Sequence, residues 1–302
     1  MGAYSLRGNH LNLIARTHAK YSIRGGAGLV FSFITLVVGL IVAQVLLAPV
    51  ELIDKEVKSS GMTDAQSKEA TQQVLSKVID TIGKPIIKWW TSADDKQMDY
   101  LTQTKPVLLS AMLVILLFLI PCLVSLGAFN QLSGDIQTKG LRYLLLRTER
   151  ANLYVGRFIG TFIFTMIVLA ALMGIVTIYM VAKINFYPAG DLILWSLQGY
   201  GALAFLALPY IALCSWISSA IDSPFGSMAI TQMVVWFWPL LISLGTNANE
   251  NVKYAGYVMP WSYKYWLLSP DVPTLVGAWA IMLAFTALFT FMGMRTFQTR
   301  DL

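Results

Sequence analysis

The chain has 302 residues, of which 56% are hydrophobic and only 13% charged, with a formal net charge of +6 and a mean hydropathy of +0.63. That balance excludes an ordinary water-soluble domain, because the apolar side chains are too many for one core and too few polar ones remain to cover it. A pI near 9.2 could suggest nucleic acid, but the positive charge lies beside long apolar runs, where anionic lipid accounts for it and no nucleic-acid partner is expected.

In chain order, residues 1–26 read as a helix lying in the membrane interface. Leu11, Ile14, Ala15 and His18 share one face, and Asn12, Arg16, Lys20 and Arg24 line another at a spacing of four. A solvated basic helix would carry the same pattern. Gly25, Gly26 and Gly28 then allow a sharp turn.

Six charge-free apolar runs follow, at 27–50, 107–129, 158–182, 192–221, 225–245 and 274–294. Each exceeds the roughly 18 residues needed to cross a hydrocarbon layer about 30 Å thick, so the fold expected is an all-α integral membrane protein with six transmembrane helices. A cleaved signal peptide competes for the first run. Its length is well beyond the roughly 7 to 15 residues of a signal core, and a retained helix is predicted. Asp222, Ser223 and Pro224 alone separate the fourth and fifth runs, with Pro224 disfavouring helix in the residue before it.

The segment 51–106 is too long for a simple connection and reads as a helical extracytoplasmic insertion. Thr63 and Gln66 fit a capping box, Val74, Leu75, Val78, Ile79 and Ile82 form a helical stripe, and Gly83 with Pro85 supplies a stop, predicting a helix over about 64–82. Its apolar face must cover the ends of the spans, the bilayer surface or a partner chain. Trp89 and Trp90 just beyond it suit the interfacial layer. A second aromatic cluster, Tyr254, Tyr257, Trp261, Tyr263, Tyr265 and Trp266, precedes the last span. It reads as an aromatic belt, with a ligand cage as the alternative, and Pro260, Pro270 and Pro273 break the segment.

Candidates for chemistry are few. Cys122 and Cys214 lie inside predicted spans without a metal-binding context and read as packing residues. Met166, Met173 and Met180 repeat every seven residues, a spacing that could hold Cu(I) but that no Cys or His joins, so helix packing is expected. His10 and His18 read as solvated or interfacial. No Asp, Glu, Lys, Arg or His falls within the six runs, which argues against ion-coupled transport and against an intramembrane enzyme. No GxxxxGK[ST] loop is present: Gly83-Lys84 lacks the upstream glycine and precedes Pro85, so the chain alone is not expected to hydrolyse nucleotide. Metal and cofactor sites are not expected in it.

Orientation rests on arginine. With the N-terminus inside, Arg7, Arg16, Arg24, Arg142, Arg147, Arg150, Arg157, Arg295 and Arg300 all fall on the cytoplasmic side, together with only four acids, Asp135, Glu149, Asp222 and Asp301. The lysines of 51–106 lie among a similar number of acids in a long loop, which weighs little in this rule. Both termini are therefore expected in the cytoplasm.

The segment 130–157, between the second and third spans, carries Asp135, then Lys139-Gly140, Leu141, Leu144-Leu145-Leu146, Arg147-Thr148-Glu149-Arg150 and Gly156-Arg157-Phe158-Ile159-Gly160. With Leu13-Ile14-Ala15-Arg16 in the first helix, Ser218-Ser219-Ala220 and Ser223-Pro224 after the fourth span, and Phe297-Gln298-Thr299-Arg300-Asp301-Leu302 at the end, the chain resembles the permeases of type-2 ABC exporters. In that family the corresponding loop reads as an acid, Gly-Thr, a leucine run, a Pro-x-Ser-Arg turn and Gly-Lys-Phe. This sequence departs at the Thr and the turn Pro, and has Thr17 and His18 where the first helix usually carries an acid.

The resemblance implies a half-transporter of the bacterial inner membrane, in which two permease chains meet two cytoplasmic ABC ATPase subunits. ATP and magnesium would belong to the ATPase, and Asp135, Lys139, Gly140, Arg142, Arg147, Glu149, Arg150 and Arg157 to the ATPase-coupling segment. The residues by themselves suit that role, because a loop of mixed charge sets partner choice and register. A solvated positive-inside loop is the plainer reading, and a channel or a scaffold anchoring other subunits is the alternative function. Polar groups in the spans are limited to residues such as Thr165, Gln198, Ser215 and Gln232, which suits an amphipathic or hydrophobic cargo.

Overall fold

A computed structural model of the chain describes residues 8–59, 66, 77, 81, 95–184, 187–248 and 250–300. The helix predicted over 64–82 lies outside the described residues apart from 66, 77 and 81, and Thr63, Trp89 and Trp90 lie outside them altogether.

Among the described residues the fold is helical, without a strand. Helix α1 (Gly8–Arg24) is followed after Gly25 by α2 (Gly26–Ser59). The short α3 (Asp95–Asp99) continues as a π-helical turn (Tyr100–Thr104) and leads to α4 (Val107–Ala128). Two short helices, α5 (Ser133–Gln137) and α6 (Gly140–Leu145), precede α7 (Arg150–Lys183), α8 (Ala189–Ala220) and α9 (Pro224–Ala248). A turn of α10 (Lys253–Gly256) and a 3-10 segment (Pro260–Leu268) lead to α11 (Val272–Thr299). Helices α2, α4, α7, α8, α9 and α11 are each long and apolar enough to cross a membrane, and the chain is a multi-pass membrane protein.

At the turn around Gly25 the missing side chains of Gly25 and Gly28 leave room for the preceding carbonyls, with a Cβ on Gly25 reaching 2.9 Å from the Tyr21 oxygen, whereas Gly26 has open space. A Cβ on Gly28 would lie 1.7 Å from the Ser22 carbonyl oxygen. Helix α7 begins at Arg150, eight residues before its apolar run, so the segment expected to be a loop up to residue 157 ends instead in two helical turns.

The interior is built around α8, which packs on α4, α7 and α11 and touches α9. Leu203, Leu206, Ala207, Ile211, Ala212 and Cys214 of α8 are buried in one apolar cluster with Leu109, Met112, Leu113, Leu116 and Ile120 of α4. Helices α2, α9 and α11 leave most of their apolar surface uncovered by this chain, as lipid-facing helices do. Some of the polar side chains inside are paired across helices, where hydrocarbon offers no other partner. Trp195 Nε1 donates to Ser110 Oγ at 3.0 Å, and Gln232 Nε2 donates to Ser125 Oγ at 2.7 Å. Met173 and Met180 are buried and Met166 is half-buried, in contact with the apolar core.

The aromatic cluster before the last span divides. Tyr254 and Tyr257 are exposed, whereas the 3-10 segment folds onto the bundle, with Trp261 edge-on to Phe118 at 5.0 Å and the Tyr265 carbonyl accepting from Gln97 Nε2 at 2.7 Å. Lys264 is buried there. Its Nζ lies 3.8 Å from the Trp261 ring centroid and 4.5 Å from that of Tyr265, and donates to the Trp261 carbonyl at 3.2 Å. Burial pushes this ammonium down to about 7.

Candidate functional site

The segment between α4 and α7 is fastened from behind and free in front. At the end of α4, Asn130 Oδ1 accepts from the Gly134 amide at 2.8 Å, and the Ser218 hydroxyl of α8 accepts from the amides of Leu132 and Ser133 at 2.9 Å each. Ser215, one turn earlier, donates to Gln131 Oε1 at 2.5 Å, while Gln131 Nε2 donates to the Ile211 carbonyl at 3.3 Å. Two amides of the turn and the Gln131 side chain are thus satisfied by α8, which fixes where α5 begins. Ser215 therefore helps to hold this turn on α8.

Arg157, buried on α7, donates through Nη1 to the Gln131 carbonyl and through Nη2 to the Asp135 carboxylate. Asp135 is half-exposed. Its charge is paired within the chain by Arg157.

Thr138 ends α5, and Lys139 follows in the left-handed region at φ 57°, which reverses the chain into Gly140 and α6. Leu141 is buried with Leu132, Leu153, Tyr154 and Phe297 in a small second core, to which Ile14, Ile136, Leu145 and Met294 add partly buried contacts. That core ties α1, α5, α6, α7 and α11 together at the arginine-rich end of the bundle. With Leu141 turned in, the other side of α6 and the turn after it face solvent: Tyr143 is 76% and Leu146 84% exposed, beside exposed Lys139, Arg142, Arg147 and Glu149.

Helix α1 lies along the first turns of α7, and Gly156 with Gly160 makes the approach possible. A Cβ on Gly156 would lie 2.7 Å from Ile14 Cγ2, and one on Gly160 would lie 2.6 Å from the Ala15 carbonyl oxygen and 3.0 Å from His18 Cβ. Two small residues four apart let two helices meet backbone to backbone. His18, expected to be solvated or interfacial, is half-buried in that contact, with Nε2 3.1 Å from Thr161 Oγ1. Burial, and next the nearby Arg157 charge, lower its pKa from 6.5 to about 4, against an opposing pull from Asp135. The room that Gly160 leaves is what lets the histidine pack there. His10 is exposed.

Arg150, at the start of α7, also turns inward. Its Nη1 donates to the carbonyls of Arg300 at 2.7 Å and Gln298 at 2.8 Å, with that of Phe297 at 3.3 Å. Arg300 in turn donates through Nη1 to the Ser219 carbonyl at 2.6 Å and through Nη2 to the Asp222 carboxylate.

The eight residues predicted to form the coupling segment therefore divide. Asp135, Arg150 and Arg157 are engaged within the chain, Gly140 is half-buried, and Lys139, Arg142, Arg147 and Glu149 are presented outward. Sequence reasoning missed Gln131, Tyr143 and the cross-chain roles of Ser215, Ser218 and Arg300. The leucine run was the one legible sign of α6, and six residues are too few for its inward and outward faces to be read from periodicity. Compared with known proteins, the chain matches no family model and no curated sequence.

Proposed function

We propose that this chain is the membrane-spanning permease of an ATP-driven exporter, energised by a separate cytoplasmic ATPase subunit that docks on α6 and the turn after it. The observation that carries the reading is the exposed pair Tyr143 and Leu146, set among Lys139, Arg142, Arg147 and Glu149 on a segment that is anchored from behind by Leu141 and Ser218. Apolar side chains held out into water on a rigid base, with a charged rim, are what a protein partner buries, the aromatic supplying contact area and the charges supplying register. The sequence provides no phosphate loop, so hydrolysis would be the partner's task, with ATP and magnesium bound there.

On this reading the arginine-rich end lies in the cytoplasm of a bacterial cell, the chain sits in the inner membrane among anionic lipids, and a second permease chain completes the path. An amphipathic or hydrophobic cargo suits spans without ionisable side chains.

The test is to purify the chain from its native membrane and identify what accompanies it. An ABC ATPase in equal number, lost when Tyr143→Glu and Leu146→Glu are introduced together while the chain still inserts, supports the assignment. Conductance without nucleotide in a reconstituted chain that holds no ATPase would replace the exporter with a channel.

A further inference from the structure

We propose that Arg150 and Arg300 are positioning residues that form two clamps in series, joining the start of α7 to the end of α11 and the end of α11 to the end of α8. Arg150 then transmits the displacement of the docking segment into the bundle and does not itself bind the ATPase. The proposal rests on the permease reading only for what drives the motion; the clamps stand on geometry.

The last carbonyls of a helix have no partner within it and carry the negative end of its dipole. Arg150 covers those of α11 at Gln298, Arg300 and, more loosely, Phe297, and Arg300 covers that of Ser219 in the last turn of α8 while pairing with Asp222 just beyond. Charged donors make the stronger class of hydrogen bond, and a guanidinium can engage several acceptors at once where an ammonium is a single point. Beneath the first clamp, Tyr154 of α7 packs against Phe297 of α11 with ring centroids 6.2 Å apart. A Cβ on Gly293 would come 2.0 Å from the Tyr154 hydroxyl and 2.8 Å from the Trp216 backbone of α8, so the three helices already touch where the arginines tie them. A load applied between residues 133 and 149 reaches α11 through this junction, and α8 both through it and through the direct bonds of Ser218.

Paired spin labels read the clamps directly. In a Cys122→Ala, Cys214→Ala background, labels at exposed Thr138 and Arg295 span the Arg150 joint, and labels at exposed Ala220 and Arg295 span the Arg300 joint. Distances are measured by double electron–electron resonance in lipid nanodiscs, with the chain alone and with whatever ATPase co-purifies, with and without ATP and vanadate. The native chain should give one narrow distribution for each pair, and nucleotide should leave both unchanged. Arg150→Gln should broaden the first pair and not the second, Arg300→Gln the reverse, and Arg150→Lys should lie between, with the amount of bound ATPase unaltered in all three. Retention of the unaffected pair's narrow distribution shows that each variant is folded. The proposal is overturned if Arg150→Gln leaves the first distribution as in the native chain, or if it releases the ATPase while both distributions stay narrow. Absence of any ATPase from the native preparation would remove the permease reading but leave the clamps to be judged on the chain alone.

Discussion

The guanidinium of Arg157 pairs with the carboxylate of Asp135, 22 residues earlier in the chain, and makes the turn after α4 and the first turns of α7 one structure. Arg157 is buried and Asp135 is half-exposed, so the two ends of the pair differ in what they lose when the other is removed. Asp135→Asn leaves a desolvated cation with a neutral acceptor and should cost about 1.5–3 kcal/mol, the range for a hydrogen bond to a charged group. Arg157→Gln should cost at least as much, and the double variant less than the sum. Thermal unfolding of the purified variants measures this cycle; additive losses would show that the pair contributes nothing of its own.

A methyl group on Gly160 should separate α1 from α7. It would sit within 2.6 Å of the Ala15 carbonyl oxygen, a backbone atom with little room to move, so Gly160→Ala should cost roughly 1–3 kcal/mol, as overpacking does. Ala15, buried in the native chain, would become reactive as Ala15→Cys toward a water-soluble maleimide. Unchanged protection of that cysteine would mean that α1 is held elsewhere.

Acid should loosen the same contact through His18. Its pKa is lowered from 6.5 to about 4 in the folded chain, so the unfolded chain binds the extra proton first as pH falls. The stabilisation is present in full above about 6.5 and is lost progressively toward about 4. His18→Gln, which keeps a group able to bond Thr161, should flatten that part of a Tm profile between pH 7 and pH 4. A profile identical to that of the native chain would assign the acid sensitivity to other groups.

Lys264 gives the opposite end of the pH scale. Burial lowers its pKa from 10.5 to about 7, so between those values the unfolded chain holds a proton that the folded chain releases. Stability should therefore rise as pH is raised from about 7 toward 10, and Lys264→Met should be more stable than the native chain near pH 7 and lose the rise. Replacing a buried charge that has no counter-charge among the described residues with a side chain of similar volume is often neutral or stabilising, whereas a lower Tm for Lys264→Met would show that the contacts to Trp261 and Tyr265 outweigh the desolvation.

The sequence by itself determined the solvent and the number of crossings, because runs of twenty or more residues without a charge have no stable place in water. Gly156, Gly160 and the leucine run were visible in it only as pieces of a motif; that the glycines let α1 approach α7 and that the leucines form α6 came from the structure. Only the tertiary structure decided which charges near the third span are available to a partner. Arg150 and Arg147 look alike in sequence, three residues apart; one reaches carbonyls about 150 positions away and the other faces water. The same holds for His18, whose burial depends on the missing side chain of Gly160, and for Lys264, which local sequence presents as one polar residue in an aromatic loop. Apolar periodicity is a property of neighbours along the chain, but the partner of a buried polar group is set by how distant helices cross.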